Sequence, residues 1–188
     1  MYKIKSIISC IVVCALTVSL CSCGNKNKSE EYAAMYGATI GGLEDDELFA
    51  IVETNASSPV LLVTSQFYDD GSGNQAALCC DVYYAIDKEV KKIGMIESFG
   101  TAYPISYDKT GIYGASGHSM QRFEIDEKTG TLVLAEGIWE QFDETGNASY
   151  TLEKEGKTEA LTEEAYYKAF EKYSEATVVN FTYGASGT

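Results

Sequence analysis

The chain has 188 residues, 45% hydrophobic and 22% charged, with a formal net charge of −14. Lys3 and Lys5 are the only charged residues of an N-terminal leader, so removing it leaves 12 basic against 28 acidic residues, a charge of −16. With Arg122 as the sole arginine, the chain lacks a cationic footprint to release phosphate counterions. That excludes nucleic acid as a partner and disfavours anionic membrane surfaces and phosphorylated ligands.

Met1–Lys5 is positively charged and Ser6–Leu20 is apolar, the layout of a signal peptide and too short for an ordinary transmembrane helix. Leu20-Cys21-Ser22-Cys23-Gly24 follows. This stretch resembles the lipobox of bacterial lipoprotein precursors, with an aliphatic residue at −3, small residues at −2 and −1, then cysteine. The resemblance implies cleavage between Ser22 and Cys23 and a diacylglyceryl group on the Cys23 thiol. Two acyl chains hold a protein stably on a membrane, where one is marginal. Residues 1–22 then form the signal peptide, 23–44 the lipidated cysteine and a flexible tether, and 45–188 a single globular domain. Cys79 and Cys80 are the only cysteines left to that domain, which excludes a disulfide scaffold and a structural zinc set. Neighbours on a strand face opposite ways, so one buried and one exposed thiol is expected.

Along the mature chain, Gly24–Gly42 is polar and Gly-rich, without a sustained apolar period, and reads as the tether, with room for a short helix around Glu30–Tyr36. Leu48–Glu53 and Val60–Thr64 are short β-branched runs flanking a turn cluster, which predicts a hairpin. Asp69–Asn74 is a second turn cluster. Ala76–Ile86 predicts the strongest strand, and Val90–Ser98 returns from it. Aspartates at 87, 108, 126 and 143 open turns spaced by 21, 18 and 17 residues, the length of two strands and two turns. Each Asp can cap its turn, and in the later three a glycine supplies positive φ. Thr162 caps a helix to about Tyr173, with Tyr166, Ala169, Phe170 and Tyr173 on one face. Ala176–Tyr183 predicts a last strand. The expected fold is mainly β, a β-rich α+β domain: an antiparallel meander of hairpins with one C-terminal amphipathic helix packed on the sheet.

The segment Phe49–Val63 resembles a unit of β-rich secreted lipoproteins of gut Firmicutes, in which an aliphatic strand enters an acidic, Gly-rich turn and leaves on a Leu-Leu-Val strand. Asp81-Val82-Tyr83-Tyr84, Gly100-Thr101-Ala102-Tyr103-Pro104 and Leu161-Thr162-Glu163-Glu164-Ala165-Tyr166 are similar too. The resemblance implies a β-rich surface lipoprotein. Ala56, Ser57 and Ser58 replace the acids and glycines of that turn, a departure that speaks against a calcium site there.

Candidates for chemistry are few. His118, the only histidine, lies beside Ser116 and Ser119, the residue types of a general base and a nucleophile. Neither a GxSxG motif nor an adjacent carboxylate accompanies it. Asp69, Asp70 and Asn74 offer oxygen ligands, but without EF-hand spacing they read as a hairpin turn. No cofactor fingerprint is present, and no cofactor is expected. Tyrosine is more suggestive: Tyr103, Tyr107 and Tyr113 cluster with His118 in the Gly-rich stretch Gly100–His118, and tyrosine suits glycan or peptide contact. These four are the candidate ligand-binding residues, against the alternative that the rings pack one sheet face. The expected function is a membrane-anchored, extracytoplasmic, non-catalytic binding module for a neutral glycan or a peptide. The alternative is a small secreted hydrolase.

Overall fold

The computed structural model describes residues 25–184; the leader, Cys23 and residues 185–188 lie outside the described residues. Two antiparallel sheets pack face to face, with a helix on each outer face. α1 (Asn25–Ile40) leads into β1 (Leu48–Val52) and β2 (Val60–Thr64), the hairpin expected from the sequence. A small hairpin of β3 (Phe67–Asp69) and β4 (Gln75–Ala77) precedes β5 (Cys79–Ile86) and β6 (Glu89–Glu97), which complete a sheet ordered β1-β2-β5-β6. The second sheet is the expected meander. In it β7 (Ser106–Asp108), β8 (Gly111–Ser116), β9 (Ser119–Asp126), β10 (Thr131–Phe142), β11 (Ala148–Lys154) and β12 (Lys157–Leu161) lie side by side in chain order.

After α2 (Glu163–Glu175), the predicted last strand is split. β13 (Thr177–Val178) joins β7 of the second sheet, and β14 (Thr182–Tyr183) joins β1 of the first. Between them the Val179 amide donates to Ile105 and the Phe181 amide to Gln75, and both side chains are buried. The tail therefore crosses the open side of the sandwich and ties the sheets together.

Side-chain parity sets the layers. On β2, Val60 and Leu62 enter the core between the sheets, while Leu61 and Val63 lie under α1 with Tyr36. On β8, Ile112 faces the other sheet, while Tyr113 and Ala115 lie under α2 with Tyr166 and Tyr173. Strands buried on both faces read as continuous apolar runs, as Val60–Thr64 does. Gly114 lets the sheets meet closely: a Cβ there would sit 2.2 Å from the Glu97 carbonyl oxygen.

Among the described residues the expected flexible tether is corrected: α1 is helical from Asn25, longer than the short helix expected around Glu30–Tyr36, and docked on the first sheet. Tyr36 is fully buried, and its hydroxyl donates to the Pro59 carbonyl at 2.5 Å. Burial pushes that phenol up to about 12. α2 is as expected, with the Thr162 hydroxyl accepting from the Ala165 amide at 3.2 Å. Cys79 and Cys80 are free, half-buried and buried respectively.

Three of the four expected Asp turns share one chemistry, a carboxylate at 108, 126 or 143 that accepts from the turn behind it. The turn at Asp87 is corrected: Asp87 and Lys88 themselves take positive φ in a two-residue hairpin turn, and at the 108 turn Gly111 does not adopt the positive φ expected of it. The Asp143 carboxylate accepts from the Thr145 amide and hydroxyl at 2.8 and 2.7 Å, and from the Asn147 amide and side chain at 2.9 Å each. Asp70 does the same with Ser72 and Asn74, so its oxygens are consumed by the turn. Hydrogen bonds from Ser72 and Asn74 draw Asp70 down to about 2, while the side chains of Asn147 and Thr145 hold Asp143 well below the carboxylate range. A carboxyl depressed on folding stabilises the fold above its unfolded pKa of about 3.9 and loses that contribution as pH falls through the folded value. Melting temperature should therefore fall as pH drops from about 4 to about 2. In Asp143→Ala the same descent, followed by circular dichroism, should be shallower from a lower starting point.

Candidate functional site

The second sheet's outer face has a different character on either side of a β-bulge. The β9–β10 register shifts between Leu134 and Glu136, leaving Ala135 as the extra residue. Before it, Leu132 packs against the core between the sheets; after it, Ile138 lies under α2. A bulge reverses the side-chain parity of all that follows. Glu136 consequently pairs across to Arg122 on the α2 side.

There it joins a cleft of about 540 Å³, bounded by the β7–β8 turn, β9, β10, α2 and Asn55 of the β1–β2 loop. Tyr113, Arg122 and Glu136 form its floor; their side chains or whole residues are about nine-tenths or more withdrawn from solvent, save Arg122 at 14% side-chain exposure. Glu136 lies 3.8 Å from the Arg122 guanidinium through Oε2 and accepts from Lys172 Nζ at 3.2 Å through Oε1. Arg122 Nη1 also pairs with Glu124 and donates to the Thr110 carbonyl at 3.0 Å. The Tyr113 hydroxyl donates to Asp108 at 3.0 Å and shares a hydrogen bond with Thr110 at 2.9 Å. Four carboxylates (Asp108, Glu124, Glu136, Glu175) thus face three cations (Lys109, Arg122, Lys172). The cleft is net acidic, its charged groups largely paired with one another.

His118 lies at the opposite end of these strands, in the β8–β9 turn. Its Nδ1 is 2.7 Å from Glu140 Oε2, and its ring meets Phe142 edge-on at 5.5 Å. His118 is 64% exposed and Glu140 only 10%, counting side chains. The Ser116 and Ser119 hydroxyls bond each other at 2.8 Å, and Ser116 accepts from the His118 amide. Nearby, burial, the Glu163 charge and a hydrogen bond to Glu140 push Tyr150 up to about 12. The Tyr166 hydroxyl is buried without a hydrogen-bond partner among the described residues.

The four candidate binding residues do not form one surface, and this corrects the sequence expectation. Gly100–His118 contains strands β7 and β8 and is not a single loop platform. Tyr113 is 1% exposed and stacks edge-on with Tyr173. Tyr103 is half-buried against Phe170 and Tyr173. Tyr107 packs on the opposite face, against the core between the sheets. Only Tyr113 reaches the cleft, and only His118 is exposed. Sequence reasoning missed Arg122, Glu136 and Lys172. The available signal was a lone arginine two positions from Glu124 and a glutamate inside the apolar run Leu132–Trp139.

No known protein family, curated protein or solved structure matches the chain.

Tyr113→Ala should cost roughly 3–5 kcal/mol, the range for deleting a buried aromatic. Tyr113→Phe, which removes only the hydroxyl bonded to Asp108, should cost about 1 kcal/mol. His118→Ala should cost about 1–2 kcal/mol although the ring is exposed, because it removes the partner of the largely buried Glu140 carboxylate. Urea denaturation of the three variants measures all of these.

Proposed function

We propose that the chain is a lipid-anchored extracytoplasmic lipoprotein whose domain is a non-catalytic binding module for a polar, neutral or cationic ligand, a glycan or a peptide. The lipobox-like leader supports the anchor. The observation that carries the binding reading is the cleft around Arg122 and Glu136. Its floor holds the Arg122–Glu136 pair, largely withdrawn from water and placed by β9 and β10, with the more exposed Lys172 of α2 closing on it; groups held in place this way are the preorganisation a recognition site needs. Glu175 and Asn55 stand on its rim beside the paired floor groups. Surplus carboxylate oxygens suit sugar hydroxyls or an ammonium group, and the −16 domain repels anions.

A hydrolase reading is favoured by one observation, the Glu140 carboxylate that holds His118 Nδ1 and can orient the ring as a general base. In this reading loss of His118 or Glu140 abolishes turnover. In the binding reading both variants bind as the parent does.

Two outcomes test the proposal. Cys23→Ala should abolish incorporation of labelled palmitate, and labelling at the parental level would overturn the anchor. On arrays of neutral glycans and basic peptides, binding by the parent should fall at least tenfold in Asn55→Ala and Glu175→Gln at unchanged melting temperature. A basic peptide should be released by salt and a neutral glycan should not. Full binding by both rim variants would remove the cleft from the function.

A further inference from the structure

We propose that α1 fixes the orientation of the domain on its membrane, with the cleft end turned towards the bilayer and the His118–Phe142 end turned away. The inference rests on the lipid-anchor reading and adds to it a membrane-facing surface.

The argument begins with the direction of α1. Tyr32 donates to Glu53, and Tyr36 donates to Pro59, so this part of the helix lies at the β1–β2 loop. Its other end lies beside β14, where a Cβ on Gly184 would come within 3.6 Å of the Ile40 carbonyl. The helix therefore enters the domain over the β1–β2 loop and runs away from it.

The β1–β2 loop belongs to the same end of the sandwich as the cleft. Its Asn55 lines the cleft together with the β7–β8 turn. Its Ser57 amide donates to Glu127 in the β9–β10 turn, which also accepts from Tyr84 at 2.9 Å. β8 and β10 run from those turns to the far end, where the β8–β9 turn carries His118 and the β10–β11 turn follows Phe142.

Length does the rest. From Cys23 to Tyr32, whose hydroxyl bonds Glu53 of the β1–β2 loop, is nine residues. That is about 14 Å as helix and at most about 30 Å fully extended. A compact domain spanning residues 25–184 has a radius of gyration near 15 Å, hence is about 40 Å across. The link cannot pass around such a body to bring the far end to the bilayer. The contacts of Met35, Tyr36, Ile40 and Leu43 hold the helix in place. A ligand entering the cleft must then come from the layer of solvent against the membrane.

The test uses the full chain, processed in a bacterial host, purified and reconstituted into phosphatidylcholine vesicles carrying a headgroup quencher. A fluorophore is placed at Lys109→Cys or at Glu144→Cys, in a Cys79→Ser background. Both sites are exposed turn residues at opposite ends. Intact mass first reports acylation of Cys23. An unacylated chain refutes the anchor reading itself. With acylation present, the label at 109 should be quenched at least twofold more than the label at 144. Equal or reversed quenching overturns the orientation while leaving the anchor standing. Inserting about 40 Gly/Ser residues between Gly24 and Asn25 gives a link about 35 Å long on average. It should bring the two signals together without touching the fold. An unchanged ratio would show that the short docked link is not the cause.

Discussion

The one-residue bulge at Ala135 governs the outer, α2-covered side of the second sheet. Without it, Glu136 would share the parity of Leu132 and point into the apolar layer between the sheets. There a carboxylate without its cations costs several kcal/mol even after relaxation. With it, Glu136 reaches Arg122 and Lys172, Glu140 reaches His118, and Ile138 still fills the space under α2. One extra residue thus sorts a long strand into an apolar half that builds the sandwich and a half that builds polar sites.

The two helices play unequal parts. α2 covers the meander with aromatic rings and lends Lys172 and Glu175 to the cleft, so its docking and the site's geometry are one event. α1 covers the other sheet far from those groups and touches the site only through the β1–β2 loop, whose Asn55 reaches the cleft. Perturbing α1 would reach the cleft through that loop alone.

Much of the fold was legible because it is written in local terms. The β1–β2 hairpin, the Asp turns, the Thr162 cap and the α2 stripe each depend on residues a few positions apart. α1 was only partly legible: a short helix around Glu30–Tyr36 could be read, but not its length or its docking, because its buried face is little more than Met35, Tyr36 and Ile40, diluted by Gly37. The cleft was less legible still. Asp108, Arg122, Glu136 and Lys172 come from three strands or turns and a helix, and strand register and the bulge bring them together. The tyrosines misled because composition marks a residue as suited to contact without saying which face it occupies. Alternation along β7 and β8 sends Tyr107 and Tyr113 to opposite sides of one sheet.

The adjacent thiols carry a consequence for chemical durability. Only a thiolate attacks a disulfide or a peroxide at a useful rate. Burial lifts Cys80 far above the ordinary thiol range, and burial with the charges of Glu97 and Asp81 lifts Cys79. Both thiols are therefore harder to ionise than an ordinary cysteine, and Cys80 is also shielded from collision. Their place in the pleat turns them away from each other as well. Two unpaired cysteines placed in this way are poorly disposed to cross-link neighbouring chains.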